Sequence, residues 1–225
     1  MYELYKGDCV DVLKVFEDEC IDLIITDPPY GIDYNSNYIK NPDKVHDNSV
    51  ISNDNEGVFD LLDVTLQECE RVLKDKGAIY IFCGYQHLDS FIQIVRKYFD
   101  YKNILVWLKN NWTAGDLKGN YGTRTEYIIY ATKNRHILNG RRDTNLLEFK
   151  RVPSTQQYFK FQKPVDLLEF LIQKSSNEGD AVLDPFCGSG STLVAAQNLG
   201  RTGVGIEIDR KLVDIITKRL KGVGG

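Results

Sequence analysis

The sequence has no run of about 18 uncharged apolar residues, the minimum that would span a bilayer as a helix. Its first residues, MYELYKGD, also lack the basic-then-apolar layout of a signal peptide. We therefore expect a soluble, cytoplasmic protein without a membrane partner. A chain of 225 residues lies within the usual size of one globular unit, so we expect a single domain over residues 1–225.

The sequence also lacks any cysteine pair in the spacing that binds zinc. Its five cysteines lie far apart without a CxxC, and its three histidines are equally scattered. An odd number of cysteines does not suit a disulfide scaffold. We therefore interpret the cysteines as buried free thiols and predict no metal site.

A surplus of positive charge is missing too, since the net charge is -4, which by itself disfavours a nucleic-acid partner. The charge is unevenly distributed, however. Between Tyr101 and Lys163 there are 12 basic and four acidic residues, so this segment carries +8 and the remainder -12. Aromatic residues such as Trp112 and Tyr121 are interleaved with the basic ones, a pattern typical of a local phosphate-binding surface. The alternative is a solvated loop region with a chance bias.

The basic residues of this segment supply the candidates for contacts with DNA phosphates. They are Lys118, Arg124, Arg135, Arg141, Arg142, Lys150 and Arg151.

Short apolar runs alternate with helical spacing of apolar residues, which predicts a doubly wound α/β fold. Strands are expected at residues 3–6, 21–26, 77–83, 102–108, 126–132, 181–184 and 202–207. Helices are expected at residues 10–16, 59–73, 87–98, 164–174, 191–199 and 210–220. Residues 32–57 and 133–162 fit neither pattern, and loops of this length are usually binding loops, lids or disordered segments.

A glycine-rich turn, DPFCGSGST at residues 184–192, runs from a predicted strand into a helix, where α/β sheets bind ligands. The next strand ends in Glu207, 19 residues after Gly188, and an acid there can accept hydrogen bonds from both ribose hydroxyls. The third glycine of the pyrophosphate fingerprint is missing. This departure points to a nucleoside without a diphosphate, and S-adenosylmethionine is the commonest such cofactor. Residues Phe186 to Gly190 would border its methionine portion, and Asp184 would receive its ammonium group directly or through water.

The tetrapeptide Asp27-Pro28-Pro29-Tyr30 follows another predicted strand. An exocyclic purine amine is a poor nucleophile because its lone pair is delocalised into the ring. The Asp27 carboxylate and the Pro28 carbonyl would be two acceptors that favour the pyramidal amine and align it with a methyl donor. Consecutive prolines hold the carbonyls extended and unpaired, and Tyr30 can stack on an extruded base. The alternative is a plain strand followed by a Pro-Pro turn.

These motifs together resemble the amino-methyltransferases of DNA, the family with a (D/N/S)PP(Y/F/W) catalytic motif and an FxGxG cofactor motif. The catalytic motif comes first, as in the β group of that family, a circular permutation of the common methyltransferase sheet. The resemblance implies a Rossmann-like sheet of seven strands, one of them antiparallel. It also implies methyl transfer from S-adenosylmethionine to a DNA base by base flipping, with S-adenosylhomocysteine as product.

The acid in DPPY favours adenine N6 over cytosine N4. An RNA substrate is an alternative, and so is a non-catalytic nucleic-acid-binding subunit, although such a subunit would be expected to lose one of the two motifs.

Three further blocks carry the resemblance. Gly7-Asp8-Cys9 is similar to a block near the cofactor adenine, and Arg124 to Ile128 is similar to the strand that borders the target-base pocket. Gln162 to Glu169 is similar to the block beside the methionine end, where Lys163 could meet the cofactor carboxylate. The residues that the resemblance and the motifs assign to the cofactor are Asp8, Lys163, Asp184, Phe186, Gly188, Gly190, Thr192 and Glu207.

The sequence departs from the family in two places. The usual His-Pro-Thr before Gln-Lys-Pro is here Phe159-Lys160-Phe161. In addition, only residues 133–162 are available as a target-recognition insert. So short an insert favours a short target, relaxed specificity, or help from a second subunit, either in a homodimer or from a companion specificity subunit.

Overall fold

The computed structural model describes residues 1–30, 57–112 and 118–222. Its strands are β1 (Tyr2–Lys6), β2 (Ile21–Thr26), β3 (Leu73–Cys83), β4 (Asp100–Leu108), β5 (Thr125–Thr132), β6 (Leu146–Glu148), β7 (Ala181–Asp184) and β8 (Thr202–Glu207). Its helices are α1 (Cys9–Leu13), α2 (Val58–Val72), α3 (Leu88–Tyr98), α4 (Val165–Ser175), α5 (Ser191–Asn198) and α6 (Arg210–Gly222), with a short 3-10 turn at Tyr85–His87.

The strands form one sheet in the order β1-β8-β7-β2-β3-β5-β4-β6. Only β5, among the described strands, runs antiparallel to its neighbours β3 and β4. The predicted α/β fold with one antiparallel strand is therefore confirmed. The sheet has eight strands instead of seven, because three residues of the predicted recognition insert, Leu146–Glu148, pair parallel with β4 as β6. A segment of three residues is too short to show a strand pattern in the sequence.

Helices cover both faces of the sheet, which is why the strands are apolar on both sides. Two consecutive residues of β2 show this. Ile24 packs in the core beneath α1, α2 and α3, and Leu23 packs on the opposite face in the core beneath α4 and α5. A third cluster joins α5 to α6 through Leu193 and Ile216.

The parallel strands β1, β8, β7, β2 and β3 all end at one edge of the sheet, which we call the carboxyl edge. Strand β5 begins at this edge and ends at the opposite, amino edge. Glu126 and Thr132 lie near its two ends, six residues apart, and at about 3.4 Å per residue this separates the edges by about 20 Å. The predicted site residues Asp27, Asp184 and Glu207 all belong to the carboxyl edge.

Helix α5 lies unusually close to β8 because two residues of that strand are glycines. A Cβ on Gly203 would lie 3.0 Å from the Leu193 Cα, and a Cβ on Gly205 would lie 2.8 Å from the Leu193 Cδ1 and 3.0 Å from the Cys187 Sγ. Leu193 is fully buried, so it has no space into which to move. The close contact holds the start of α5, and with it the glycine-rich turn, against the sheet.

We predict that Gly205→Ala lowers the free energy of unfolding by about 1–3 kcal/mol, because the added methyl group overpacks a filled core. Urea denaturation measures the change. Gly84→Ala is the matched control, since its methyl group would meet only the exposed Gln86 side chain at 3.0 Å and Tyr30 at an ordinary 3.5 Å. The control should stay within about 0.5 kcal/mol of the unmutated protein. Equal losses in the two variants would contradict the close-packing account.

Candidate active site

The Asp27 carboxylate, just beyond the end of β2, has two partners. Its Oδ1 accepts a hydrogen bond of 2.5 Å from the Tyr30 hydroxyl, and its Oδ2 pairs with the Lys163 ammonium group. The side chain of Asp27 is 23% exposed and that of Lys163 is 11% exposed. The structure thus brings the two ends of the predicted tetrapeptide together, and it adds a lysine from the segment just before α4.

Glu126, the second residue of β5, connects Tyr30 and Lys163 to a second lysine, Lys109. Its Oε1 accepts a hydrogen bond of 2.9 Å from the Tyr30 hydroxyl and lies 3.0 Å from the Lys163 Nζ. Its Oε2 lies 2.6 Å from the Lys109 Nζ. Two carboxylates and two ammonium groups are therefore joined in one chain of ion pairs, and their formal charges cancel. We call Asp27, Glu126, Lys109 and Lys163 the charge cluster.

Burial and pairing shift the pKa values of the charge cluster in different directions. Burial raises the pKa of Asp27, with Lys163 opposing the rise and Glu126 adding to it. Burial would also raise the pKa of Glu126, but Lys163 and Lys109 outweigh it and lower that pKa to about 2. For Lys163, Asp27 and Glu126 overcome the effect of burial and raise its pKa. Glu126 is thus the firmly ionised carboxylate, and Asp27 is the one whose charge depends on Lys163.

Tyr30 is held by its hydroxyl group and by its ring. The hydroxyl has one proton and lies within hydrogen-bond distance of both carboxylates, so it can donate to only one of them at a time. The ring meets Phe91 edge-on, with 6.3 Å between centroids and 78° between planes. Pro28 is buried and Pro29 is half-buried in the turn that connects Asp27 to Tyr30.

The glycine-rich turn after β7 adopts left-handed backbone conformations that favour glycine. Gly188 and Gly190 have positive φ values of 53° and 77°. A Cβ on Gly190 would lie 2.9 Å from Ile216, but a Cβ on Gly188 would meet only the Phe186 carbonyl, at 4.0 Å. The space beside Gly188 is open, so a ligand can approach the backbone there as the sequence analysis expects.

Asp184, the last residue of β7, stabilises this turn by two hydrogen bonds. Its Oδ2 accepts a hydrogen bond of 2.6 Å from the Thr192 hydroxyl, and its Oδ1 accepts one of 3.1 Å from the Phe186 amide. The residue is 4% exposed. Burial raises the pKa of Asp184 to about 7, against the lowering effect of these hydrogen bonds. A cationic group beside it would favour the ionised form.

Glu207 and Asp8 lie at the ends of neighbouring strands. The Glu207 carboxylate accepts hydrogen bonds from the Gly188 amide at 2.9 Å and the Asp209 amide at 2.8 Å, and burial raises its pKa. Its backbone carbonyl accepts a hydrogen bond from the Gly7 amide, next to Asp8, at 3.1 Å. Asp8 begins α1 by accepting a hydrogen bond from the Val10 amide. Carboxylates at the end of β8 and beside it, with open backbone at Gly188, fit the hydroxyl and amine groups of a nucleoside cofactor.

Sequence reasoning missed three residues that shape the site. Glu126 appeared only as part of a family block, although an acid inside a buried strand is itself a signal. Lys109 carried no signal beyond its charge. Arg219, on α6, donates hydrogen bonds to the Ser189 carbonyl and hydroxyl and lies 4.7 Å over the Tyr158 ring. It thereby joins α6 to the glycine-rich turn and to the segment that precedes Lys163.

The structure does not bring together all seven basic residues predicted to contact phosphates. Three of them lie on the chain between β5 and β6, which starts at the amino edge and passes the ends of β3 and α4 before it reaches β4. Asn134 there donates to Asp75, and the carbonyl of Arg141 accepts a hydrogen bond from Lys174 in the last turn of α4. The three residues are Arg135, Arg141 and Arg142.

The other four basic residues belong to the carboxyl edge. The base of the loop between β4 and β5 is closed by a hydrogen bond of 2.9 Å from the Lys109 amide to the Arg124 carbonyl. The chain after β6 meets the same loop where the Arg151 amide donates to the Asn110 side chain, at 3.0 Å. The four residues are Lys118, Arg124, Lys150 and Arg151.

Cys9, Cys69, Cys83 and Cys187 are buried free thiols, as expected, whereas Cys20 is half-buried. Within residues 1–30, 57–112 and 118–222, no group of three or more His, Cys, Asp or Glu residues is placed to hold a metal ion. In the same residues, no helix is both long and apolar enough to cross a membrane.

The chain is similar to known DNA methyltransferases. A family model described as DNA methylase matches residues 21–218. The chain is 32% identical over 245 residues to the Type II methyltransferase M.HpaI of Haemophilus parainfluenzae, covering 96% of this chain and 73% of the relative. It is 30% identical over 252 residues to the DNA adenine methyltransferase YhdJ of Escherichia coli (strain K12), covering 96% of this chain and 82% of the relative.

Solved structures show the same fold. The M1.HpyAVI–SAM complex is 26% identical, with a TM-score of 0.73, and the match covers 98% of this chain and 100% of that one. The cytosine-N4-specific PvuII DNA methyltransferase is 18% identical, with a TM-score of 0.75 and coverage of 98% and 93%, and this likeness concerns the fold alone.

The pKa of Asp184 predicts a pH-dependent stability of the cofactor-free protein. With a folded pKa of about 7 and an unfolded pKa of about 3.9, its carboxyl group is protonated only in the folded state between these values. Its contribution to stability is therefore complete below about pH 4 and is lost as the pH rises through about 7. Asp184→Asn should remove this part of the decline, because the amide stays neutral and keeps partners in Thr192 and Phe186.

Urea denaturation of both proteins at several pH values between about 4 and 8 measures the difference. The unmutated protein should lose more stability over this range than the variant. Asp27 and Glu207 also have raised pKa values, but they titrate in both proteins and cancel in the comparison. Parallel curves for the two proteins would contradict the assignment to Asp184.

Proposed function

The chain belongs to the DNA methylase family and is an S-adenosylmethionine-dependent DNA methyltransferase, and we propose that Asp27 presents adenine N6 for methylation. The observation that carries the proposal is the position of Asp27 beside the cofactor turn. Strands β2 and β7 are hydrogen-bonded neighbours, with Ile24 opposite Leu183. Asp27 and the turn after Asp184 therefore leave the sheet side by side, about 5 Å apart. An acceptor for an amino group lies next to the residues that would hold the methyl donor.

The residues around the glycine-rich turn would hold the cofactor in two parts. Glu207 would accept hydrogen bonds from the ribose hydroxyls, with Asp8 nearby toward the adenine. Asp184 would receive the ammonium group of the methionine portion, and Thr192 would keep the Asp184 carboxylate in place. The cofactor supplies a methyl group on a sulfonium, an electrophile that needs no metal for activation.

The target amine would be held by acceptors only. Asp27 and the Pro28 carbonyl would each accept one of its hydrogens, which favours the pyramidal nitrogen with a localised lone pair. Tyr30 would stack on the base after it leaves the duplex, and Glu126 fixes the Tyr30 hydroxyl. The proton released after transfer would pass to Asp27 or to water.

Lys163 would contact both Asp27 and the methionine portion of the cofactor. In the structure its ammonium group occupies Asp27 Oδ2, so this oxygen is not available to an amine. We propose that Lys163 holds the carboxylate of the methionine portion in the ternary complex, as the family resemblance implies, and that this shift frees Asp27. Glu126 stays within 3.0 Å of Lys163 and would limit the size of the shift.

Two finer features rest on the sequence. The insert at residues 133–162 is our candidate for target recognition, and because it is short, a second copy of the chain or a companion specificity subunit would complete recognition. Sedimentation of the protein with and without DNA distinguishes these assemblies from a monomer.

We also propose that the enzyme acts in the cytoplasm of a bacterial cell, because its substrate would be DNA and the relatives named above come from bacteria.

The carboxyl edge offers the surface on which DNA phosphates would bind. We restrict the predicted phosphate contacts to Lys118, Arg124, Lys150 and Arg151, since these lie on the same edge as Asp27. Arg135, Arg141 and Arg142 lie on the chain between β5 and β6, apart from the hydrogen bonds that join the base of the β4–β5 loop to Arg124 and Arg151, and we leave them out of this set.

We predict that Asp27→Ala abolishes methylation of DNA while cofactor binding remains. Plasmid DNA from a methylation-deficient host that expresses the enzyme should contain N6-methyladenine when it is digested to nucleosides and measured by mass spectrometry. DNA from a host that expresses Asp27→Ala should contain none, because the amine loses its acceptor. Calorimetric titration with S-adenosylmethionine should give similar affinities for the two proteins. N4-methylcytosine in place of N6-methyladenine would overturn the choice of base.

We also predict that removing charge at the carboxyl edge changes the salt dependence of DNA binding. The double variant Lys150→Ala, Arg151→Ala should bind plasmid fragments more weakly and lower the slope of log K against log salt by about 1–2 units, since each phosphate contact contributes about 0.9. The matched control, Arg141→Ala with Arg142→Ala, removes two charges from the chain between β5 and β6 and should leave the slope unchanged. The reverse result would assign the DNA to the surface that carries Arg141 and Arg142.

A further inference from the structure

A β-hairpin projects from the carboxyl edge beside the charge cluster. Strands β4 and β5 are consecutive and antiparallel, with Leu108 opposite Thr125. The described residues that connect them are 109–112 and 118–124. We call these residues the hairpin loop throughout.

The base of the hairpin loop is anchored in the active site. Lys109 pairs with Glu126 at 2.6 Å and lies 4.8 Å over the Trp107 ring. On the other side of the base, Arg124 donates two hydrogen bonds to the Lys109 carbonyl, at 3.1 and 3.3 Å. Glu126 in turn contacts Tyr30 and Lys163. The loop therefore starts at the residues that would receive the target base.

The outer part of the hairpin loop exposes two large aromatic side chains. Tyr121 is 95% exposed and Trp112 is 67% exposed. Trp112 lies on the backbone of Gly122, since a Cβ there would be 2.8 Å from the indole Cδ1. The indole thus supports the chain directly next to Tyr121. The two rings are therefore held on the same part of the loop, with the Tyr121 ring accessible to another molecule.

DNA fits this surface better than a protein partner does. Arg124 is exposed at the base of the loop and Lys150 follows the adjoining strand β6, so the aromatic rings lie among positive charges. Aromatic rings flanked by basic side chains stack on bases and bind phosphates. An extruded base leaves a gap in the duplex, and a side chain that fills this gap stabilises the open state.

We propose that the hairpin loop enters the DNA duplex beside the target base and that the Tyr121 ring fills the space left by the extruded base. This inference rests on the proposed function, because it needs a base that leaves the duplex. Tyr121 contributes to the opening of the base pair, and Trp112 holds the loop in position through Gly122. The proposal gives this hairpin a role that the insert at residues 133–162 does not supply.

The test uses duplex oligonucleotides that carry the site mapped from plasmid DNA methylated by the unmutated enzyme. In one duplex the target adenine is paired with thymine, and in the other it faces an abasic position, so that no pair has to be opened. Tyr121→Ala should lower kcat/KM about tenfold on the paired duplex and less than about twofold on the abasic one, since stacking on one base is lost. Tyr121→Phe, which keeps the ring, should behave as the unmutated enzyme on both.

Equal losses on the two duplexes, or no loss on the paired duplex, would overturn the inference while the unmutated enzyme still methylates its site. Loss of activity by Tyr121→Phe as well would assign the hydroxyl group, and not the ring, to the effect and would also overturn it. Absence of methyl transfer by the unmutated enzyme would instead overturn the proposed function, and the inference would fall with it.

Discussion

The active site depends on the mutual neutralisation of four charges that are largely withdrawn from water. Asp27, Glu126, Lys109 and Lys163 come from four separate segments, and each would be costly to bury without the others. Their pairing therefore requires that the turn after β2, the two ends of the β4–β5 hairpin loop and the segment before α4 meet at one point. That point lies at the carboxyl edge, and it determines where Tyr30 and the target base can be placed.

The same constraint links the two halves of the reaction. Asp27 leaves β2 next to β7, so the proposed acceptor of the amine and the turn that would hold the cofactor share one pair of neighbouring strands. Lys163 belongs to the charge cluster through its side chain and adjoins the cofactor region through α4, which packs on α5. Asp184 accepts hydrogen bonds from two neutral donors, Thr192 and Phe186, and burial raises its pKa to about 7.

Much of this arrangement can be predicted from the sequence, because the signals that define it lie within short contiguous segments. Strands β2, β7 and β8 are short apolar runs that end in turn signals, so both their bounds and the site residues after them were predicted. Lys109 and Glu126 could not be paired in advance, because their contact depends on the register of β4 against β5. The position of Arg141 could not be read from the sequence for a similar reason, since the path of the chain after β5 follows from contacts with Lys174 at the far end of α4. Strand β6 has too few residues to show a pattern.

The central claim is that Lys163 is the counterion of the catalytic carboxylate Asp27, and a double-mutant cycle on the unfolding free energy tests it most directly. The variants are Asp27→Asn, Lys163→Met and the two together, measured by urea denaturation at neutral pH without cofactor. We predict that Lys163→Met costs about 3 kcal/mol or more, because the Asp27 carboxylate loses its ammonium partner, and that Asp27→Asn costs less, because Lys163 keeps Glu126 as a partner. The double variant should cost less than the sum of the two by at least about 1 kcal/mol. Additive effects, within about 0.5 kcal/mol, would show that the two groups do not depend on each other and would contradict the account.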